Sequence, residues 1–121
     1  MAALIGVVDD DASILRALRR LLGAAGFAVQ TFGSGEELLA WHELDAIGCL
    51  VLDVHLGGLS GFDVQERLAG ARRAIPIIFI TAHDDAPTRE RARRAADSQY
   101  LRKPFDETSL IDAIHTALAG A

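Results

Sequence analysis

Cys49 is the only cysteine in the sequence, which excludes an internal disulfide and leaves stability to packing. It stands in an apolar run where any small hydrophobe would fit, so a reducing, intracellular setting is expected. Long hydrophobic runs are missing as well. Ile77–Ile80 is representative, far short of the roughly 20 residues that a membrane-spanning helix needs. No basic flank precedes Leu4 and Ile5, so the secretory signal pattern is lacking, and a cytoplasmic location with no membrane partner is expected. Basic residues are the minority, 12 against 17 acidic for a net charge of −5. Binding to a phosphate backbone rests on Lys and Arg, so direct nucleic-acid binding by this domain is not expected. No linker, repeat or low-complexity segment divides the chain.

With 121 residues, half of them hydrophobic, the chain suits one domain that buries roughly two thirds of its unfolded surface. Short apolar runs recur at Leu4–Val8, Ala28–Phe32, Ile47–Leu52, Ile77–Ile80 and Tyr100–Leu101, each followed by helical spacing. Ile14, Leu15, Leu18, Leu21 and Leu22 make the apolar stripe of a first helix that stops near Gly26. A second helix begins at Ser34, with Glu37 three residues on in the pattern of a capping box. Three more are predicted at about 62–69, 87–96 and 107–119. The middle strands are continuously apolar, as strands covered on both faces are. Five strands alternating with five helices predict a doubly wound parallel α/β sheet, whose ligand site lies at the carboxyl ends of the strands.

That rule places a set of polar residues on one rim. Asp9, Asp10 and Asp11 follow the first strand, Asp53 ends the third, Thr81 ends the fourth and Lys103 follows the fifth. The second strand ends on Thr31 and Phe32, with nothing ionic, as suits an edge strand. Clustered carboxylates repel one another unless a cation intervenes. A few carboxylates with room left for water and phosphate oxygens suit Mg²⁺ better than calcium. Lys103 adds a compact charge with three donors, and Thr81 a hydroxyl, both fitted to phosphoryl oxygens. Metal, carboxylate nucleophile, hydroxyl and lysine together make a phosphoryl-transfer site. The plainer alternative makes Asp11 a helix cap and leaves Asp9 and Asp10 solvated.

"VVDDD" at 7–11, "VLDVHLGGLSG" at 51–61, "IFITA" at 78–82 and "YLRKPF" at 100–105 resemble the four signatures of the response-regulator receiver domain of bacterial two-component systems. The resemblance covers essentially the whole chain. "TAHDDAP" and "KPFD" look most like nitrogen-fixation-type receivers. The resemblance implies one flavodoxin-like (βα)5 domain over 1–121, with a five-stranded parallel sheet in the order 2-1-3-4-5. It implies that Asp53 accepts a phosphoryl group from a sensor histidine kinase or phosphotransfer protein. Asp10 and Asp53 would bind Mg²⁺ directly, Asp9 mainly through water, and the backbone carbonyl of His55 would complete the protein ligands. Thr81 and Lys103 would contact the phosphoryl oxygens. Thr81 and Tyr100 would then turn inward together and remodel the face of the fourth helix, fifth strand and fifth helix. Such a domain is a signalling device, not an enzyme acting on other substrates; its chemistry is the gain and loss of its own phosphoryl group. A homodimer is a further possibility.

Other residues read two ways. Pro104 is either the cis proline typical of the family or a trans proline opening the last helix. His55 and His83 lie two positions after Asp53 and Thr81, where the family tunes hydrolysis of the phosphoryl group, or they are solvated loop residues. In the basic fourth helix Glu90 and Arg94 are spaced to pair, leaving Arg89 and Arg93 for an acidic partner, for a second copy, or as a plain solvated face. His42 and His115 read as surface, Trp41 as packing, and Gly33 with Gly35 as a strand-to-helix turn.

The chain also departs from the family pattern. Leu56-Gly57 stands where Met-Pro is common, which predicts a looser loop after the third strand. Ala96 stands where glycine is common, followed by the polar pair Asp97–Ser98. Two rival classes remain. A haloacid-dehalogenase-like phosphatase would need a second Asp at position 55, where His55 stands. A phosphorylation-independent interaction module is opposed by the complete set of Asp10, Asp53, Thr81 and Lys103. The sequence leaves open whether the domain stands alone or belongs to a longer regulator.

Overall fold

The computed structural model describes residues 3–95 and 98–120. Five strands, β1 (Leu4–Val8), β2 (Ala28–Phe32), β3 (Cys49–Asp53), β4 (Ile77–Thr81) and β5 (Ser98–Arg102), alternate with five helices. The helices are α1 (Ala12–Ala24), α2 (Gly35–Leu39), α3 (Gly61–Gly70), α4 (Ala86–Arg94) and α5 (Glu107–Ala119). The strands are all parallel in the order β2-β1-β3-β4-β5. This is the architecture and strand order expected from sequence. Among the described residues no helix is long and apolar enough to cross a membrane.

Alternation along the central strands divides the core between the two faces. Leu50, Leu52 and Phe79 join Leu38, Phe62, Val64, Leu68 and Ala92 under α2, α3 and α4. Cys49, Val51, Ile78 and Ile80 join Leu18, Leu22, Leu110 and Ile114 under α1 and α5. Because β3 and β4 are buried along their whole length, their carboxyl ends are held rigidly. Whatever stands there, Asp53 and Thr81, is held with them. Burial also pushes the Cys49 thiol up to about 12, so it behaves as a small apolar side chain.

Local details depart from the sequence reading in three places. Ser34 caps α2 by accepting from the Glu37 N–H at 3.1 Å, but the Glu37 carboxylate reaches past Ser34 to the Gly33 N–H at 2.6 Å. The reciprocal half of the expected capping box is therefore missing there, while Ser60 and Asp63 form a complete one at the start of α3. A single 3-10 turn at Leu44–Ala46 interrupts the path from α2 to β3. Helix α4 runs from Ala86 to Arg94, starting one residue before the expected span and ending before Ala96. Ala96 and Asp97 lie outside the described residues. Ser98 opens β5 and donates to the carbonyls of Ala92 and Ala95 at 2.7 and 2.8 Å, satisfying the end of α4.

Candidate phosphoryl-transfer site

The rim residues converge. Asp11 is the N-cap of α1, accepting from the Ser13 N–H at 2.8 Å, so of the three adjacent acids it serves the helix. Asp9 and Asp53 are buried and Asp10 is exposed. One carboxylate oxygen from each of Asp9, Asp10 and Asp53 lies within 4.8 Å of the others. Lys103, the chain's one lysine, donates from Nζ to Oδ2 of Asp9 at 3.0 Å and to Oδ2 of Asp53 at 3.1 Å. Its backbone N–H donates to the Thr81 carbonyl at 2.7 Å, and the peptide bond to Pro104 is cis.

The electrostatics follow from crowding. Burial pushes the Asp9 carboxyl up; the Asp11 N–H and Lys103 oppose this, while the charge of Asp53 adds to it. Burial alone would lower Lys103, but its hydrogen bonds to Asp9 and Asp53 outweigh that and hold it above its ordinary value. The site is thus an acidic pocket with one fixed cation, still short of positive charge.

Both oxygens of Asp9 are engaged, Oδ1 by the Asp11 N–H at 2.9 Å and Oδ2 by Lys103. Asp53 accepts at Oδ1 from the His55 N–H at 3.0 Å. Among the described residues Asp10 is held only by the Gly57 N–H, at 3.4 Å from Oδ2. A proline at 57 could not make that contact.

Thr81 is buried, and its Oγ1 accepts from the His83 N–H at 2.9 Å. His55 and His83 are exposed, yet their rings meet edge to face with centroids 4.8 Å apart. Tyr100, half-buried, donates to Oδ1 of Asp84 at 3.1 Å. Burial, and then this carboxylate, push the phenol up to about 12. Asp84 is the residue the sequence reading missed, because its partners come from α4 and β5 and leave no local pattern.

Arg89 and Arg93 are not free as expected. Arg89 pairs with Asp84 at 3.3 Å, and Arg93 shares Glu90 with Arg94, each at 3.6 Å. Arg91 reaches Glu66 at 2.9 Å and lies over the Phe62 ring. His42 and His115 are exposed, and Trp41 packs edge-on against Phe32.

Comparison with known proteins gives a consistent result. The family model described as the response regulator receiver domain matches residues 5–115. Nodulation protein W of Bradyrhizobium diazoefficiens is 45% identical over 115 residues, 95% of this chain and 51% of that protein. The response regulator protein TmoT of Ectopseudomonas mendocina is 42% identical, over 96% of this chain and 53% of its own length. The chain spans about half the length of these curated relatives. Among solved structures, a response regulator receiver protein from Burkholderia phymatum is 47% identical with a TM-score of 0.82, covering 97% of this chain and 95% of that one.

Proposed function

This chain belongs to the response regulator receiver domain family, and on that premise we propose that residues 1–121 form one receiver domain with Asp53 as phosphoacceptor. The donor is a phosphohistidine on a sensor histidine kinase or phosphotransfer protein. A carboxylate oxygen of Asp53 forms the new bond to phosphorus as the phosphorus–nitrogen bond breaks, and the imidazole departs as the leaving group. The product is an acyl phosphate, whose loss to water returns Asp53.

The observation that carries this reading is the convergence of Asp53 and Lys103 at 3.1 Å on a buried strand end. Lys103 neutralises part of the acidic cluster and offers donors to the incoming oxygens. The buried β3 strand and the His55 N–H orient the nucleophile, so little reorganisation is left for the reaction. Thr81 supplies a hydroxyl on the adjacent strand end.

The donor set also fits a hard divalent cation. Three carboxylates with oxygens within 4.8 Å of one another and one opposing ammonium leave excess negative charge. Asp10 and Asp53 would hold Mg²⁺ directly, with the His55 carbonyl; Asp9, both of whose oxygens are occupied, would act through water. When bound, the ion would neutralise the carboxylates and the arriving phosphoryl oxygens. Phosphorylation would draw Thr81 and Tyr100 inward and remodel α4, β5 and α5, the face offered to an output domain, a partner or a second copy.

Intact-protein mass after incubation with acetyl phosphate tests the proposal. A Mg²⁺-dependent phosphoryl adduct absent from Asp53→Asn is expected. No adduct, under conditions that modify a control receiver, would instead support a phosphorylation-independent interaction module.

A further inference from the structure

Asp84 gathers three partners from two elements of the switch region, one on α4 and two on β5. Its Oδ1 accepts from the Tyr100 hydroxyl at 3.1 Å, Arg89 donates at 3.3 and 3.4 Å to its two oxygens, and Arg102 lies 3.6 Å from Oδ2. The carboxylate is only 16% exposed, so these contacts are less screened than those of a fully exposed pair. Three residues away in sequence, Thr81 is itself tied to the same loop by the His83 N–H at 2.9 Å and, more weakly, through its hydroxyl to the His83 carbonyl at 3.4 Å.

The chain geometry couples these two sets of bonds. To aim its proton at a phosphoryl group on Asp53, Thr81 must give up the His83 carbonyl. Drawing its Oγ1 toward that group also pulls on the 2.9 Å bond from the His83 N–H, and so on the 81–83 turn. Asp84 is the next residue, so displacing the turn displaces the acceptor on which Tyr100, Arg89 and Arg102 converge. Resting on the receiver reading above, we propose that Asp84 is a positioning residue, a carboxylate clasp joining the Thr81 loop to α4 and β5. It holds Tyr100 in the resting arrangement and opposes the switched one. Among the described residues neither Tyr100 nor Thr81 has an equivalent second anchor: the phenol oxygen bonds Asp84, and the threonine hydroxyl bonds only within its own turn.

The clasp acts through a population, and linkage makes it measurable. A contact present in one state and broken in the other biases their ratio, and removing it tightens a ligand that favours the second state by up to the same factor, reached while the first state predominates. Beryllofluoride with Mg²⁺ serves as a stable phosphoryl mimic on Asp53. Tyr100 is the one tyrosine of the chain, so 3-fluorotyrosine incorporation places a single ¹⁹F reporter at the clasp.

In the wild type, beryllofluoride should move the ¹⁹F resonance. In Asp84→Ala the resting resonance should already lie part of the way toward that position, with half-saturation at about threefold to tenfold lower beryllofluoride. Asp84→Asn keeps an acceptor for the phenol but not the charge facing two arginines, and should fall between. A merely structural role would lower the melting temperature without tightening the mimic. Wild-type uptake combined with an unmoved resting resonance, or with unchanged or weaker binding in Asp84→Ala, would overturn the clasp alone. Failure of wild type and variants alike to take up beryllofluoride would overturn the receiver reading and the clasp with it.

Discussion

The Lys103 ammonium donates to Oδ2 of Asp53 at 3.1 Å, across 50 residues of sequence, and the same nitrogen neutralises Asp9. Two buried acids therefore share one counter-charge. Removing it as Lys103→Met leaves both uncompensated, and breaking buried pairs in this way is strongly destabilising. In metal-free buffer the expected loss is about 2–4 kcal/mol, somewhat below the fully buried range because the lysine keeps some contact with water. Urea unfolding with and without Mg²⁺ measures it, and added metal should recover part of the loss.

Asp10 is the exposed member of the acidic group and contributes one long hydrogen bond to the fold. Asp10→Asn should thus leave metal-free stability within about 0.5 kcal/mol of wild type. The wild type should gain stability with Mg²⁺ by mass action, about 2.7 kcal/mol at a hundredfold excess over the dissociation constant. Asp10→Asn should lose most of that gain, and EDTA should reverse it in the wild type. Thermal unfolding across a Mg²⁺ titration reads both effects.

Gly61 lies where α3 begins, close behind the end of β3. A Cβ there would overlap the Asp53 carbonyl oxygen and meet the Val54 Cα at 3.0 Å, and both obstacles are backbone. At Gly35 the comparable obstacle is a side-chain methyl of the buried Val64, which yields by repacking more readily than backbone does. Gly61→Ala should cost about 1–3 kcal/mol and slow phosphorylation by displacing Asp53, with Gly35→Ala costing less. Denaturant midpoints and the rate of adduct formation distinguish the two.

The Ser60 N–H, and then the Ser60 hydroxyl, hold the Asp63 carboxyl below the usual carboxylate range. Folding therefore favours ionised Asp63. Its contribution is present above the unfolded value of about 4 and is lost as pH falls through the lower folded value. Ser60→Ala should raise the Asp63 carboxyl toward its ordinary value and weaken the α3 cap by about 0.5–2 kcal/mol. Carboxyl ¹³C titration of Asp63, with urea midpoints between neutral and acid pH, checks both.

What the sequence determined by itself was everything that depends on period and on strand ends. Continuous apolar runs such as Ile47–Leu52 require cover on both faces, and the doubly wound topology then sends Asp9, Asp10, Asp53, Thr81 and Lys103 to one rim. Pairing of long side chains was less legible. The sequence marked Ser34/Glu37 as a capping box and passed over Ser60/Asp63, yet the local path of the backbone turned Glu37 to Gly33 and let Asp63 close on Ser60. The spacing of α4 marked Arg89 and Arg93 as free because it sees neighbours on one helix, whereas Arg89 pairs with an acid in the preceding loop. Asp84 had no local signal at all. Its partners Arg89, Tyr100 and Arg102 stand 5, 16 and 18 residues away. The parallel pairing of β4 with β5, in which Thr81 lies beside Arg102 and Phe79 beside Tyr100, is what brings the two β5 residues to the loop that carries it.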